Sequence, residues 1–230
     1  MWKKHIRGAF FTQSVFLITD RKNHIYNRRN VVKWRKRKSA ENGETADLEK
    51  EETNMYFGVQ MYGVSKEWKQ DPEGFLKKIY EAGYRQIEPC LGFRVDARDY
   101  GFWIPEDLEQ AMPLLAKYHI EVHAVHIFLD EYHYERELAI LTELAQKYHI
   151  SWFVVKSPAR LTKDVLDETA ARYRELAEEL EKAGAGLLIH NEKEDICIRV
   201  NGKTAYEYLL EACGEKVGAE VDAGWMYCCL

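Results

Sequence analysis

From Met55 onward, short apolar runs alternate with longer segments in which apolar residues recur every three or four positions. The short runs predict six β-strands, at residues 57–64, 85–90, 121–129, 151–157, 185–192 and 217–225. The longer segments predict amphipathic helices between the strands, the longest of them at 162–183. Asp71 and Pro72 mark the start of the first helix, and Gly83 marks its end.

This (βα)₅β order predicts an α/β fold with parallel strands joined by right-handed crossovers. Two architectures fit the order: an open doubly wound sheet and a closed (β/α)₈ barrel. Neither a GxGxxG nor a P-loop sequence follows the first strand, which weakens the case for a nucleotide-binding open sheet. In both architectures ligands bind beyond the carboxyl ends of the strands, so the polar residues at those ends are the candidates for function.

Charge divides the chain at the same place as the hydrophobic pattern. Residues 1–54 carry 13 Lys and Arg against 7 Asp and Glu, whereas residues 55–230 carry 20 against 31. The first segment shows neither a helical nor a strand period, and it predicts a disordered extension that is basic and then acidic. The negative charge of the second segment argues against a nucleic-acid partner.

Cysteine usage and an N-terminal apolar run bear on location. The five cysteines, an odd count without CxxC spacing, argue against a disulfide framework and indicate a reducing cytoplasm. The apolar run at 8–18 follows a basic start, but it is too short to span a bilayer and no small-residue cleavage site follows it. We therefore expect a cytoplasmic protein with no membrane partner.

Ionisable side chains stand at the predicted end of most strands. They are Glu88 on strand two, His126 on strand three, Lys156 on strand four, His190 and Glu192 on strand five, and Glu220 and Asp222 on strand six, followed by Trp225. Each has a structural interpretation, since a lone strand-end histidine is more often a neighbour's hydrogen-bond partner than a ligand. Together they put carboxylates and imidazoles on one rim, where burial is costly unless the groups are paired or bind a metal. Such donors suit Mn²⁺, Zn²⁺ or Mg²⁺.

Three stretches of the sequence carry a resemblance to a known family: FGVQMYGVSKEWKQDPEGFLKKIYEAGYRQIE, EVHAVHIFL and LLIHNEKEDICIRVNGKTAYEYLLEACGEKVGAEVDAGW. They resemble the xylose-isomerase-like TIM barrels of the sugar phosphate isomerase/epimerase family, with Glu88 ending the second strand and His126 in the third. The last stretch resembles the branch whose fifth strand reads His-Asn-His. The resemblance covers residues 56–227 and implies an incomplete (β/α)₈ barrel over residues 55–230, with strands seven and eight missing.

The resemblance also implies a divalent metal ion held by the later strands. Asp222 stands at the place of the metal-binding aspartate of strand six, and His190 at the strand-five ligand of the His-Asn-His branch. Glu192 replaces the second histidine of that motif, so either His190 or Glu192 could face the metal. The family's ligands on strands seven and eight have no counterpart in this sequence, and we expect weak metal binding or none.

The activity that the resemblance implies is isomerisation or epimerisation, in which a proton moves next to the carbonyl of a sugar or sugar phosphate. Glu192 would be the catalytic carboxylate, and Glu88, His126, Lys156 and Trp225 would bind the substrate. Two other interpretations stay open: an inactive, truncated member of the family, and a metal-dependent hydrolase of the AP-endonuclease-like branch. The net negative charge argues against the hydrolase.

Two further expectations concern the ends of the incomplete barrel. The first and sixth strands would have unpaired edges, so we expect a homo-oligomer or aggregation. Because the resemblance begins at Tyr56, we also expect Met55 to be the translation start and residues 1–54 to be a translated upstream region.

Overall fold

The computed structural model describes residues 17–19 and 55–229. Its strands are β1 Leu17–Thr19, β2 Met55–Gln60, β3 Gln86–Glu88, β4 Cys90–Gly92, β5 Glu121–Val122, β6 Ala124–Phe128, β7 Trp152–Lys156, β8 Gly186–His190, β9 Arg199–Val200, β10 Lys203–Thr204 and β11 Val217–Glu220. Its helices are α1 Ser65–Gln70, α2 Pro72–Glu81, α3 Pro105–Lys117, α4 Tyr134–Tyr148, α5 Lys163–Lys182, α6 Lys193–Cys197, α7 Ala205–Cys213 and α8 Ala223–Tyr227. The strands and helices alternate as the sequence predicts.

All six predicted strands are present, and they pair in parallel in chain order. β2 pairs with β3, and β3 with β5; β4 pairs with β6, β6 with β7, β7 with β8, and β8 with β11. β3 and β4 are two halves of one strand that breaks at Pro89, which has no N–H to donate to a ladder. β5 and β6 are likewise two halves that break at His123. The result is the predicted incomplete (β/α)₈ barrel, which is not closed.

Local sequence explains where several helices begin. Asp71 caps α2 by accepting a hydrogen bond from the Gly74 amide at 2.9 Å, and Pro72 occupies the first turn. Thr204 caps α7 by accepting from the Glu207 amide at 3.0 Å, while Glu207 accepts from the Thr204 amide at 2.9 Å. Gly83, which follows α2, has a φ of +95°, a conformation that glycine adopts without strain.

The apolar faces of the helices and the strands share one core. Its largest fully buried members include Leu76, Leu108, Leu141 and Leu166 from the helices and Ile87, Ile127 and Phe153 from the strands. At the β4 end of the sheet, Trp103 pairs with this strand, since its amide donates to the Cys90 carbonyl at 2.8 Å. The Trp103 ring stacks on Trp68 of α1, with ring centroids 4.8 Å apart.

Three predicted strands extend too far at their carboxyl ends. β2 ends at Gln60 and a 3₁₀ turn follows at Tyr62–Val64; β8 ends at His190, and β11 ends at Glu220. The reason in the last two strands is that short helices, α6 and α8, begin almost at once. Glu192, Asp222 and Trp225 therefore lie beyond the strands, and alternation along a strand does not determine which way they face.

The expectation that the first strand has an unpaired edge is wrong. β1 pairs antiparallel with β2, with Leu17 opposite Phe57 and Thr19 opposite Met55. This strand supplies main-chain partners on the side of β2 that β3 leaves open. Apart from β1, residues 1–54 lie outside the described residues, so the disordered extension and the start at Met55 stay predictions.

Cysteine spacing did not predict a disulfide, yet Cys197 of α6 is bonded to Cys229, with a Cα–Cα distance of 5.7 Å. Cys90 and Cys213 are buried thiols, and Cys228 is an exposed thiol. Within residues 17–19 and 55–229, no helix combines the length and the apolar character that crossing a membrane requires.

Candidate functional site

The carboxyl ends of β8 and β11 bring a histidine and a carboxylate into direct contact. His190 and Glu220 are register partners at the ends of these neighbouring strands. The His190 Nδ1 atom lies 2.7 Å from Glu220 Oε1, and both side chains are buried. The Tyr206 hydroxyl bridges the two strand ends, at 2.8 Å from the Ile189 carbonyl oxygen and 3.0 Å from the Glu220 carbonyl oxygen. These contacts fix the position of the pair.

Asn191, which is fully buried, connects the ends of the same two strands. Its Oδ1 accepts from the Asp222 amide at 2.7 Å, and its Nδ2 donates to the Asp222 carbonyl at 3.2 Å. Asp222 in turn caps α8, because its Oδ1 accepts from the amides of Gly224 and Trp225 at 2.7 and 3.1 Å. Its Oδ2 lies 4.0 Å from His190 Nε2. His190 thus has Glu220 near one ring nitrogen and Asp222 near the other.

β3 and β6 contribute a second buried pair, Glu88 and His126. His126 Nδ1 lies 3.8 Å from Glu88 Oε1, which is an ion-pair distance but too long for a hydrogen bond. The His126 ring lies edge-on to the His190 ring, with centroids 5.3 Å apart. On its other side it stacks on Phe128, which stacks in turn on Phe102. The two histidine–glutamate pairs are therefore in contact through the rings of His126 and His190.

Burial and like charge shift the acid–base equilibria of this cluster. Burial raises the pKa of Glu220 well above its usual range, and the neighbouring carboxylate of Glu88 adds to the effect. Burial lowers the pKa of His190 to about 4, assisted by His126 and opposed by Asp222. His190 is therefore neutral near pH 7, which is the form in which imidazole binds a metal. Burial also raises the pKa of the Cys90 thiol, so that this side chain is not a reactive thiolate.

The donor atoms of the cluster fit a divalent metal ion. His126, His190 and Glu220 each offer one atom, and these atoms all lie within 4.8 Å of one another. The predicted ligands His190 and Asp222 also fit, because two atoms that each bind an ion at about 2.1 Å are separated by about 3 to 4 Å. A metal at this rim would thus find nitrogen and carboxylate donors on either side of His190.

The remaining candidates lie around the rim. Lys156 is exposed at the end of β7, with its Nζ 5.8 Å from the centre of the Phe128 ring. Trp225, on α8, is 39% exposed. Glu192 is half-buried directly before α6, and its amide donates to Asp195 Oδ2 at 2.9 Å. Glu192 is not among the three residues whose donor atoms converge.

Sequence reasoning missed two residues of the cluster. It placed Glu220 at the strand-six end but gave it no role, although its alternation with Asp222 and its position opposite His190 were signals. It gave Asn191 no role either, and no local pattern indicates that this amide binds the main chain of residue 222, 31 positions away. Both residues act across the junction between β8 and β11.

No protein-family model matches the sequence, and no curated protein matches it. Solved structures do match the fold. A sugar phosphate isomerase/epimerase from Parabacteroides distasonis matches with a TM-score of 0.60 and 20% identity, over 75% of this chain and 66% of that chain. An L-ribulose 3-epimerase matches with a TM-score of 0.52 and 17% identity, over 74% of this chain and 61% of that chain.

These matches confirm the predicted fold, because the alternating strands and helices of this chain superpose on those of the two proteins. At such low identity the likeness establishes the fold alone. The aligned region spans 66% and 61% of the two neighbours' lengths, so their activities are not transferred with it.

Proposed function

We propose that this chain moves a proton next to the carbonyl of a sugar or sugar phosphate, with the help of a divalent metal ion, as an isomerase or epimerase. One observation carries the proposal: four buried ionisable side chains, Glu88, His126, His190 and Glu220, converge at the carboxyl ends of the strands. This is the end of the barrel at which TIM-barrel enzymes bind their substrates. The likeness to sugar isomerases and epimerases supports the substrate class.

In this proposal His190 and Asp222 hold the metal ion. Neutral His190 offers a lone pair on Nε2, because Nδ1 faces the Glu220 carboxyl group at 2.7 Å. A carboxylate at the far nitrogen of a ligating imidazole fixes its orientation and raises its basicity. Asp222 offers Oδ2, while its Oδ1 stays on the amides of α8. When bound, the ion polarises the carbonyl and hydroxyl oxygens of the sugar.

The remaining candidates bind the sugar and move its proton. Glu192 is the base, a half-buried carboxylate next to the cluster in sequence. Glu88 and His126 present buried polar atoms that sugar hydroxyls can satisfy. Lys156 supplies a cation for a hydroxyl or phosphate oxygen, and the exposed ring of Trp225 supplies an apolar face for the sugar.

Deuterium exchange tests this proposal without knowledge of the product. The protein is incubated in D₂O with Mn²⁺ and a panel of ketopentoses and ketohexoses, free and phosphorylated, and NMR follows the hydrogens on the carbons next to the carbonyl. We expect exchange of one of these hydrogens for at least one sugar. Exchange at C1 indicates an isomerase, and exchange at C3 indicates a 3-epimerase.

Two variants locate the base. Glu192→Gln removes the proposed base while keeping the shape of the side chain, and exchange should fall by at least about a hundredfold, as expected for loss of general base catalysis. Glu194→Gln is the matched control, because Glu194 is an exposed carboxylate two positions along, in α6. Equal rates in the two variants would overturn the role of Glu192. No exchange with any sugar, despite measurable sugar binding, would favour a non-catalytic protein.

A further inference from the structure

The side of the cluster that faces away from Asp222 has its own set of metal donors. We call this set the inner site: Glu88 from β3, His126 from β6, His190 from β8 and Glu220 from β11. All four residues are buried, with exposures of 3%, 6%, 8% and 6% in that order. They come from strands spread across most of the sheet, so the fold itself brings them together.

Distances show that the inner site is compact. His190 Nδ1 and Glu220 Oε1 are 2.7 Å apart, a hydrogen-bond distance that would widen to about 3 to 4 Å if both atoms bound one ion. One donor atom from each of His126, His190 and Glu220 lies within 4.8 Å of the other two. Glu88 Oε1 lies 3.8 Å from His126 Nδ1, and its carboxyl group is close enough to Glu220 to raise the pKa of that residue.

Unsatisfied buried atoms indicate that this site can bind a ligand. Among residues 17–19 and 55–229, neither ring nitrogen of His126 has a hydrogen-bond partner, although both atoms are buried. Buried polar groups in folded proteins are nearly always satisfied, and each unsatisfied one costs about 1–3 kcal/mol. Two such atoms on one imidazole, beside three other buried ionisable side chains, therefore favour a ligand at this position.

The charges and donor types identify the ligand as a divalent transition-metal ion. Glu88 and Glu220 place two buried carboxyl groups side by side, which raises the pKa of Glu220, and a cation bound between them would take the place of the proton. Two imidazoles with two carboxylates suit Zn²⁺, Mn²⁺ or Co²⁺ better than Ca²⁺ or Mg²⁺, which prefer oxygen donors throughout. The site needs no residue from any other part of a barrel.

We propose that Glu88, His126, His190 and Glu220 form a divalent transition-metal site on the Nδ1 side of His190. It is an alternative to a metal between His190 Nε2 and Asp222, because a neutral imidazole has one lone pair and a metal on Nδ1 leaves the proton on Nε2. It also gives Glu88 and His126 a role other than sugar binding. The inference stands on metal binding alone and does not depend on the proposed sugar chemistry.

Metal titration of the whole chain tests this inference. Protein freed of metal with EDTA is titrated with Co²⁺, whose visible absorption reports nitrogen and carboxylate ligation, and Zn²⁺ is then added to displace it. We expect one Co²⁺ per chain. Glu88→Gln and Glu220→Gln should each weaken binding by at least about tenfold, since even outer-shell changes cost 10–100-fold. Glu194→Gln is the matched control and should leave the affinity within about threefold, because Glu194 is an exposed carboxylate outside the inner site.

A variant that fails to fold does not leave the question open. Melting temperatures of all variants are measured first, and His126→Gln replaces either glutamate variant that is unfolded. His126→Gln should also change the Co²⁺ spectrum, since an oxygen or amide replaces a nitrogen ligand. If Asp222→Asn abolishes binding while the variants at Glu88, His126 and Glu220 retain it, the metal lies on the other side of His190. Absence of any Co²⁺ or Zn²⁺ binding would also overturn the inner site. Because no sugar is present, neither result bears on deuterium exchange.

Discussion

At the scale of single residues, His190 is central to the cluster, because each proposed metal site uses one of its ring nitrogens and therefore requires the neutral ring. Burial lowers the pKa of His190 to about 4 and outweighs Asp222, which favours the charged form. The neutral ring is therefore an electron-pair donor next to carboxyl groups, and protonation of the ring in acid should disrupt this arrangement.

Acid should destabilise the protein through His190. The unfolded chain takes up a proton on this residue near pH 6.5, but the folded protein does so only near pH 4, so stability is lost as the pH falls between these values. From pH 7 to pH 5 the loss should be about 2 kcal/mol in the free energy of unfolding. The measurement is urea unfolding in EDTA, for the unchanged protein and for His190→Gln.

The comparison with His190→Gln separates the contribution of His190 to the pH dependence of stability from the opposing contribution of Glu220. Glu220 has a raised pKa, so it stabilises the folded state at low pH and loses that contribution as the pH rises above about 4.5. Glu220 is present in both proteins, whereas the contribution of His190 is present in one. Parallel pH dependences would contradict the assignment of a neutral His190.

At the scale of elements, the sequence predicted the order of strands and helices, because hydrophobic period is a local property. It also predicted that Glu88, His126 and His190 approach one another, since the carboxyl ends of parallel strands lie at one edge. It placed Glu192, Asp222 and Trp225 on strands, whereas these residues follow strands that end earlier than the apolar run suggests. The interactions that end β8 and β11, such as that of Asn191 with Asp222, link positions far apart in sequence and leave no local trace.

The disulfide between α6 and the segment after α8 has a consequence for stability. α6 follows His190, and α8 follows Asp222, so the Cys197–Cys229 bond ties together the two short elements beyond the cluster. Cysteines separated by 32 positions enclose a loop whose closure in the unfolded chain is worth about 3–4 kcal/mol. We expect Cys197→Ser, or reduction, to lower the free energy of unfolding by up to that amount.

Thiol counting shows whether the bond is present. Unfolded protein without reductant should have three titratable thiols, and with reductant all five cysteines should react. Cys228→Ser is the matched control, because Cys228 is an exposed thiol next to the bonded one and its loss should leave stability unchanged. Five reactive thiols in freshly purified, unreduced protein would contradict the pairing.

At the scale of the whole molecule, the two ends of the sheet differ. β1 covers β2, whereas β11 has β8 as its only strand partner within the described part of the chain. The segment that follows β11 has exposed apolar side chains, including Val221 at 48%, Met226 at 41% and Tyr227 at 79% exposure. An open strand edge with adjacent apolar surface favours pairing with another copy of the chain.

We therefore predict concentration-dependent self-association through β11. Light scattering coupled to size-exclusion chromatography should show a mass above that of a 27.0 kDa monomer as the protein concentration rises. Val221→Lys puts a charge at this edge and should shift the equilibrium towards monomer. Tyr132→Lys is the control, because Tyr132 is 93% exposed on the segment before α4. A monomer at every concentration would contradict the prediction.

The stacked indoles of Trp68 and Trp103 give this molecule an optical signal of its own. Two indoles held face to face couple their electronic transitions, and such a pair produces circular dichroism bands of opposite sign that neither ring produces alone. The signal depends on contact between α1 and the segment that pairs with β4, which lies at the end of the five-stranded sheet opposite β11. Measured during unfolding together with the visible absorption of bound Co²⁺, this signal would reveal whether the β4 end of the sheet and the metal-binding cluster unfold together or one after the other.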